Sequence, residues 1–173
     1  LKSYYRWKEM IVETIPQEKF EILPQLLSNQ TADSSFESGK WTCGARSGYE
    51  IFCFQRPSQS FIWEGTLTVE GMGKLGIVTD MDNEGSGYFI SFDVSHGLVQ
   101  IRSWGFDPSN NRKNFIFKNF QSNVFTTNRA RSLNFKLIRY GRYIELSIND
   151  IIKLTLIDYS YSGGNIGLYS ASS

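Results

Sequence analysis

Three acidic residues stand two positions apart in the segment 80–85, which reads Asp-Met-Asp-Asn-Glu-Gly. This spacing resembles the first half of an EF-hand calcium loop, but that loop needs a glutamate at its twelfth position, where this chain has Ser91. The flanking patterns also predict strands instead of helices, so we predict no metal site. Two interpretations stay open: a plain hairpin turn, or a loop that contacts a sugar or an ion, in which Asp80 and Asp82 would bind the hydroxyl groups of the sugar.

A second group of candidate binding residues combines aromatic rings with an arginine. Arg102 and Trp104 are two positions apart on a predicted strand, and a turn before that strand is expected to bring Tyr88 close to them. The apolar face of a sugar ring packs on aromatic side chains, and an arginine donates charge-assisted hydrogen bonds to hydroxyl groups. In the alternative interpretation Trp104 belongs to the core and Arg102 lies over it at the surface.

Other charged residues are candidates of second rank. Glu64 and Glu145 are further hydroxyl-binding candidates. The segment 139–143 (Arg-Tyr-Gly-Arg-Tyr) is a basic and aromatic cluster at a predicted hairpin turn, and we interpret it as a solvated turn.

The residues that most enzymes use for catalysis are scarce in this sequence. His96 is the single histidine, so zinc sites with two or three histidines are excluded. It falls in a predicted turn. No Gly-x-Ser-x-Gly segment is present for a serine nucleophile, and no glycine-rich loop precedes a helix to hold a phosphate. We therefore predict no catalytic residues and no cofactor.

The composition limits the class of partner. Eighteen basic and 17 acidic residues leave a net charge of +1 over 173 residues, which argues against a nucleic-acid partner. No stretch approaches the roughly 18 apolar residues of a membrane helix, so we predict no membrane partner either. Aromatic residues make up 15% of the chain, which indicates a folded domain.

The elements that must position these residues are predicted to be strands. Apolar and polar residues alternate with period two in the segments 133–137, 144–148 and 152–156, and Asn149-Asp150 predicts a two-residue turn between the last two. Such alternation is typical of antiparallel strands with one face in water. About ten to twelve strands with turns every 8–12 residues predict an all-β, antiparallel two-sheet sandwich of the jelly-roll type.

The first part of the chain differs from the rest. Residues 1–35 have two prolines, a polar loop and no sustained period, and we interpret them as a lead-in or linker whose one strand pattern lies at residues 20–23. Residues 36–173 are predicted to form the sandwich domain. If residues 41–54 form a hairpin, Cys43 and Cys53 face each other and either form a disulfide or pack as two small buried residues.

Parts of the sequence resemble the C-terminal β-sandwich of glycoside hydrolase family 32, which comprises the invertases, inulinases and levanases. In that sandwich a strand ends in isoleucine or valine followed by glutamate, and an asparagine stands at the next turn; Ile144-Glu145 and Asn149 match this pattern. The resemblance extends over residues 133–150, 154–156 and 164–169. Other segments, 75–78, 87–88 and 99–104, are similar to the family 66 carbohydrate-binding modules of fructan-degrading enzymes and to concanavalin-like sandwiches.

The resemblance implies a function as well as a fold. Catalysis in family 32 belongs to a propeller with Asn-Asp-Pro, Arg-Asp-Pro and Glu-Cys signatures, and this sequence contains none of the three. The resemblance therefore implies a non-catalytic carbohydrate-binding or accessory module, with fructan as the ligand, an upstream catalytic domain in the same polypeptide, and a secreted or cell-surface location. The alternatives are a purely structural sandwich that supports a propeller, and a recognition domain of the lectin or laminin-G type.

Overall fold

The structure, a computed structural model, describes residues 25–26, 33–37, 40–44, 49–54, 60–69, 74–82, 86–106, 115–126 and 131–171. Every regular element in these ranges is a strand, as the alternation predicted. The strands are β1 (Gln25–Leu26), β2 (Asp33–Glu37), β3 (Lys40–Gly44), β4 (Tyr49–Phe54), β5 (Phe61–Thr68), β6 (Lys74–Met81), β7 (Gly87–Asp93), β8 (Leu98–Phe106), β9 (Phe115–Val124), β10 (Ser132–Tyr140), β11 (Tyr143–Ile148), β12 (Ile151–Ile157) and β13 (Asn165–Ala171). No helix in the described ranges is long and apolar enough to cross a membrane.

The strands form two main sheets with antiparallel neighbours. One sheet has seven strands in the order β1-β4-β13-β6-β7-β8-β9, and the other has four in the order β12-β11-β10-β5. Strands β2 and β3 form a separate antiparallel pair. The predicted two-sheet sandwich is therefore confirmed.

The core lies between the two sheets and consists of the alternating apolar residues of both. Burying a side chain of this size stabilises the fold by about 1.5–3 kcal/mol relative to its exposed state. The ring of Trp63 packs edge-on against that of Phe135, with centroids 5.3 Å apart. The residues buried from the four-stranded sheet include Leu133, Phe135, Leu137, Ile144, Leu146 and Ile148, and those from the seven-stranded sheet include Ile77, Tyr88, Ile90, Phe92, Val99 and Ile101.

Two predicted turns are present. Asn149 and Asp150 have φ values of 49° and 66°, the two consecutive left-handed residues that a tight hairpin between twisted strands requires. His96 lies at the turn between β7 and β8 with a side chain that is 78% exposed, and its Nδ1 is 3.0 Å from a carboxylate oxygen of Asp93. This turn is the position predicted for His96.

The predicted hairpin of residues 41–54 is wrong. Cys43 lies in β3, opposite Ser34 of β2, whereas Cys53 lies in β4 of the seven-stranded sheet. In the described residues β4 pairs with β1 at Phe52 and Cys53 and with β13 along its length, and β3 pairs with β2 instead.

The predicted lead-in segment is described only in part. Its strand pattern at residues 20–23 lies outside the described residues. Within residues 1–35 the structure describes β1 and the first residues of β2. The domain boundary at residue 36 stays a prediction.

Candidate functional site

A β-bulge at the end of β6 sets the geometry of the candidate site. Opposite β13, three steps along β6 (Val78 to Met81) match two steps (Gly167 to Asn165), so one residue of β6 is extra. Asp80 lies in this bulge with a φ of 54°, a conformation that few residues other than glycine adopt. Gly164 crosses the bulge so closely that a Cβ there would lie 2.8 Å from the carbonyl carbon of Asp80.

The bulge brings Asp80 against Arg139 of the opposite sheet. Arg139 Nε lies 3.0 Å from Asp80 Oδ2, and the two side chains are only 1% and 3% exposed. Asp80 also accepts hydrogen bonds from Thr79 Oγ1 (3.0 Å, to Oδ2) and from the backbone N–H of Gly163 (2.9 Å, to Oδ1). Charges this deeply buried are stable only when they are paired in this way.

The burial of Arg139 corrects the interpretation of residues 139–143 as a solvated turn. Arg139 continues the alternation that places Leu133, Phe135 and Leu137 in the core, so its side chain also points between the sheets. Its Nη2 donates to the carbonyl oxygen of Tyr161 (3.2 Å), and its Nη1 makes no hydrogen bond to any described residue. Its Nε is paired with Asp80 by charge at 3.0 Å without the geometry of a hydrogen bond.

Tyr88 is completely buried beneath this pair. Its ring centroid lies 5.4 Å from Arg139 Cζ. Its hydroxyl group donates to Asp158 Oδ2 (2.5 Å), and the hydroxyl oxygen of Tyr88 accepts from the backbone N–H of Tyr161 (3.3 Å). Burial, reinforced by the hydrogen bond to the Asp158 carboxylate, raises the pKa of Tyr88 to about 12. The hydroxyl therefore keeps its proton and acts as a donor. Because Tyr88 is 0% exposed, it cannot be the stacking surface that the sequence suggested.

The loop of residues 158–164, between β12 and β13, covers the buried cluster and supplies exposed side chains. Tyr159 is 73% exposed, and its ring lies 5.3 Å from Arg142 Cζ. Arg142 Nη1 also donates to the carbonyl oxygen of Tyr161 (3.4 Å). The ring of Tyr161 is half-buried and packs edge-on against that of Tyr88, with centroids 5.2 Å apart.

Acidic residues adjoin these rings. Burial raises the pKa of the Tyr161 hydroxyl; a hydrogen bond with Ser103 lowers it in part, and the negative charges of Asp82 and Asp158 raise it further. Asp82 is exposed, and its Oδ1 accepts from the backbone N–H of Ser86 (2.8 Å). We call the surface formed by Asp82, Arg142, Asp158, Tyr159 and Tyr161 the end site, because it lies at one end of the sandwich.

The end site offers an exposed aromatic ring, a guanidinium group and two carboxylates within one patch. An aromatic ring presents an apolar face, and the charged groups can form short hydrogen bonds with hydroxyl groups. Within the described residues no group of three or more His, Cys, Asp or Glu side chains is arranged to hold a metal ion. Glu84, the third carboxylate of the acidic segment, lies outside the described residues.

The structure separates Tyr88 from Arg102, which the sequence placed together. In the register of β7 and β8, Tyr88 opposes Ser103 and Arg102 opposes Phe89. Successive residues of a strand point to opposite faces, so Tyr88 faces the core while Arg102 lies on the outer face, where it donates to Gln100 Oε1. The backbone of Trp104 opposes Gly87 at the start of β7, and its side chain lies outside the described part of the chain.

The two second-rank glutamates have different environments. Glu145 is 0% exposed on the central strand β11 and accepts from the Tyr143 hydroxyl (2.9 Å), so it cannot contact a ligand directly. Glu64 is exposed and lies 3.3 Å from Lys136 Nζ. The Glu64–Lys136 pair lines a shallow groove of about 360 Å³ on the outer face of the four-stranded sheet, with Gly65, Thr66, Asn134, Phe135 and Asp150.

The sequence reasoning missed most of the end site. Asp158, Tyr159 and Tyr161 were not singled out, and Arg142 was interpreted as part of a solvated turn. One signal was available: the segment 158–164 (Asp-Tyr-Ser-Tyr-Ser-Gly-Gly) places two tyrosines and a carboxylate in a loop directly before a glycine pair.

A scan against models of known protein families finds no match, and a search of curated proteins finds none either. Solved structures do match. The carbohydrate-binding module CBM66 from Bacillus subtilis superposes with a TM-score of 0.69 at 13% identity, over 87% of this chain and 92% of that one. A Bacillus subtilis protein of unknown function with a galectin-like fold gives 0.55 at 13% identity, over 82% and 80%. The carbohydrate recognition domain of Emp46p, in a potassium-bound form, gives 0.50 at 11% identity, over 85% and 80%. At these identities the likeness shows the fold, a jelly-roll sandwich as predicted.

Proposed function

We propose that this domain binds carbohydrate at the end site and has no catalytic role. The observation that carries the proposal is the exposed ring of Tyr159, which lies against Arg142 at the rim of a buried polar cluster. Tyrosine side chains are enriched at contact surfaces, because the ring offers an apolar face and the hydroxyl group forms hydrogen bonds. The ring lies against a guanidinium group and belongs to the same loop as the Asp158 carboxylate, which favours a ligand with both C–H faces and hydroxyl groups.

Each group of the end site has a role in this proposal. The apolar face of a sugar ring packs on Tyr159, the carboxylates of Asp82 and Asp158 accept hydrogen bonds from hydroxyl groups, and Arg142 donates to ring or hydroxyl oxygens. The loss of one well-packed aromatic contact costs about 1–3 kcal/mol of binding free energy, which is roughly 5- to 150-fold in Kd.

The choice of carbohydrate as the ligand is supported by the similarity of this fold and sequence to carbohydrate-binding domains. Two of the structures that share this fold are a carbohydrate-binding module and a carbohydrate recognition domain. The sequence resemblance to family 66 modules and to the family 32 sandwich directs attention to fructans such as levan and inulin. The same resemblance supports an accessory domain that acts beside a catalytic domain in one polypeptide.

Calorimetric titration of the chain with levan, inulin, laminarin, xylan and mixed-linkage glucan tests the proposal. We expect binding to a fructan, and we expect Tyr159→Ala to weaken it at least fivefold with little change in melting temperature, because the ring is mostly exposed. Tyr140→Ala is the matched control: Tyr140 is 41% exposed and makes none of the end-site contacts described above, so its loss should leave Kd unchanged. A wild-type chain that binds no glycan, or a Tyr159→Ala variant that binds normally, would contradict the proposal.

Three further measurements distinguish the alternatives. If Glu64→Gln abolishes binding while Tyr159→Ala does not, the ligand occupies the groove of Glu64 and Lys136 instead. Trp104 stays a candidate stacking residue, and Trp104→Ala should weaken binding without a large loss of stability if that is its role. The release of fructose or reducing ends from any of these glycans by the pure chain would contradict the non-catalytic assignment.

A further inference from the structure

The loop of residues 158–164 connects the two sheets of the sandwich. It connects β12, at the edge of the four-stranded sheet, to β13, inside the seven-stranded sheet, so it must cross the end of the sandwich. It also carries Tyr159 and Tyr161, the two rings of the end site. The conformation of this one loop therefore decides where both rings lie.

Four hydrogen bonds join this loop to buried side chains from distant parts of the chain. The Tyr88 hydroxyl donates to Asp158 Oδ2 (2.5 Å) and accepts from the Tyr161 N–H (3.3 Å). Arg139 Nη2 donates to the Tyr161 carbonyl oxygen (3.2 Å). The Gly163 N–H donates to Asp80 Oδ1 (2.9 Å). The three side chains are Asp80, Tyr88 and Arg139, and we call them the buried trio.

The three side chains of the buried trio contact one another. Asp80 and Arg139 form an ion pair between the sheets, and the guanidinium lies over the ring of Tyr88. All three are at most 5% exposed, so none of them can contact a ligand in the end site. Contacts that hold a loop in its binding conformation before the ligand arrives increase affinity, because less conformational entropy is lost on binding.

We propose that the buried trio, and the Tyr88 hydroxyl in particular, positions the 158–164 loop and thereby sets the affinity of the end site without contacting the ligand. This inference rests on the proposed carbohydrate-binding function. Tyr88 has the central place because its one oxygen bonds to both Asp158 and Tyr161. A phenylalanine would fill the same space and make neither bond.

Tyr88→Phe tests the inference, and Tyr143→Phe is its matched control. The Tyr143 hydroxyl also donates to a carboxylate, Glu145 Oε1 (2.9 Å), but that carboxylate is not in the loop. We expect Tyr88→Phe to raise the Kd for the bound glycan three- to tenfold at a temperature where both variants are fully folded, with a more unfavourable binding entropy. Tyr143→Phe should leave the Kd within twofold of the wild type even if it lowers the melting temperature as much.

Amide hydrogen exchange in the absence of ligand provides a second measurement. The N–H of Tyr161 bonds to the Tyr88 oxygen, and the N–H of Ser160 bonds to Asp158 Oδ2 (2.9 Å). Both amides should exchange faster in Tyr88→Phe and at the wild-type rate in Tyr143→Phe, whereas an effect of Tyr88 through general stability alone would change the exchange of these amides equally in the two variants when their stabilities are lowered equally.

The outcomes separate this inference from the proposed function. Wild-type affinity and wild-type exchange in Tyr88→Phe would overturn the positioning role while the carbohydrate-binding function stands. An equal loss of affinity in Tyr143→Phe would also overturn it, because the effect would then follow general stability. A wild-type chain that binds none of the tested glycans would overturn both.

Discussion

At the scale of single residues, the ion pair of Asp80 and Arg139 carries two free-energy costs, backbone strain and loss of hydration. Asp80 has a positive φ, and strained backbone of this kind costs of order 1–3 kcal/mol. Both charges have also left water, and a buried ion pair often stabilises a fold no better than apolar residues of the same size. The pair links β6 of the seven-stranded sheet to β10 of the four-stranded sheet, and both residues also bond to the 158–164 loop.

The first prediction concerns Arg139→Met. Removing one member of a buried ion pair leaves an uncompensated charge, so we expect the free energy of unfolding to fall by about 3–5 kcal/mol in a urea titration. The double variant Asp80→Asn with Arg139→Met should recover part of that loss, because the charge without a partner is gone. A loss below about 1 kcal/mol for the single variant would show that the pair is not an essential contact.

The second prediction concerns the pH dependence that Tyr88 confers. Its pKa in the folded chain is about 12, mainly because of burial, against the ordinary tyrosine pKa of 10.0. Since the folded state holds the proton more tightly, this stabilisation is fully present below pH 10 and is lost as the pH rises through 12. Two pKa units correspond to about 3 kcal/mol. Chemical denaturation at several alkaline pH values should show that the free energy of unfolding declines less steeply with pH in Tyr88→Phe than in the wild type. Equal slopes in the two proteins would contradict the raised pKa of Tyr88.

At the scale of elements, the sequence predicts most of the strands but not the irregularity that makes the site. Alternation of apolar and polar residues located the hairpins of β10 to β12, because each strand has one face in the core. The bulge of β6 has no such signal: Asp80 was expected in an open turn. What places it inside is its pairing with β13, a strand more than 80 residues later, and local patterns do not contain that information.

The third prediction compares two glycines with positive φ. Gly141 has a φ of 55°, and a Cβ added there would meet nothing within 4 Å, so Gly141→Ala should cost only about 1–2 kcal/mol of backbone strain. Gly164 has a φ of 143°, and a Cβ there would lie 2.8 Å from the backbone of the β6 bulge. Gly164→Ala should therefore cost more than about 3 kcal/mol in the same urea titration. An equal loss of stability in the two variants would show that the bulge adjusts to a methyl group at position 164.

At the scale of the whole molecule, the end site is assembled from parts of the chain that only the sandwich brings together. Tyr88 and Asp158 are 70 positions apart: Tyr88 lies in β7, and Asp158 lies in the loop after β12. The sequence predicted the acidic segment and an aromatic partner, but it chose Tyr88 as an exposed ring when the fold buries it. The two tyrosines and the carboxylate of segment 158–164 mark a candidate loop, but without the pairing order of the sheets they do not show which buried side chains that loop meets.

The same scale explains how the two sheets meet along one side. Strand β12 ends the four-stranded sheet, and β9, at the end of the seven-stranded sheet, lies against it. Gln121 Oε1 accepts from the backbone N–H of Thr155 (2.8 Å), and Asn123 Nδ2 donates to the carbonyl oxygen of Lys153 (2.9 Å). Two side-chain amides thus occupy backbone groups of β12 that another strand could pair with. Uncovered edge strands of this kind promote association between chains.

The last prediction follows from this covered edge. The double variant Gln121→Ala with Asn123→Ala frees the Thr155 N–H and the Lys153 carbonyl beside Ile151 and Ile157, which are 59% and 65% exposed. An edge strand with free backbone groups and exposed isoleucines is a template for pairing, so the variant should sediment with a larger, concentration-dependent weight-average mass than the wild type. Ser122→Ala is the control, because Ser122 is exposed between the two amides and makes neither of these bonds. Identical sedimentation of the double variant and the wild type over a wide concentration range would show that the two amides do not protect the edge.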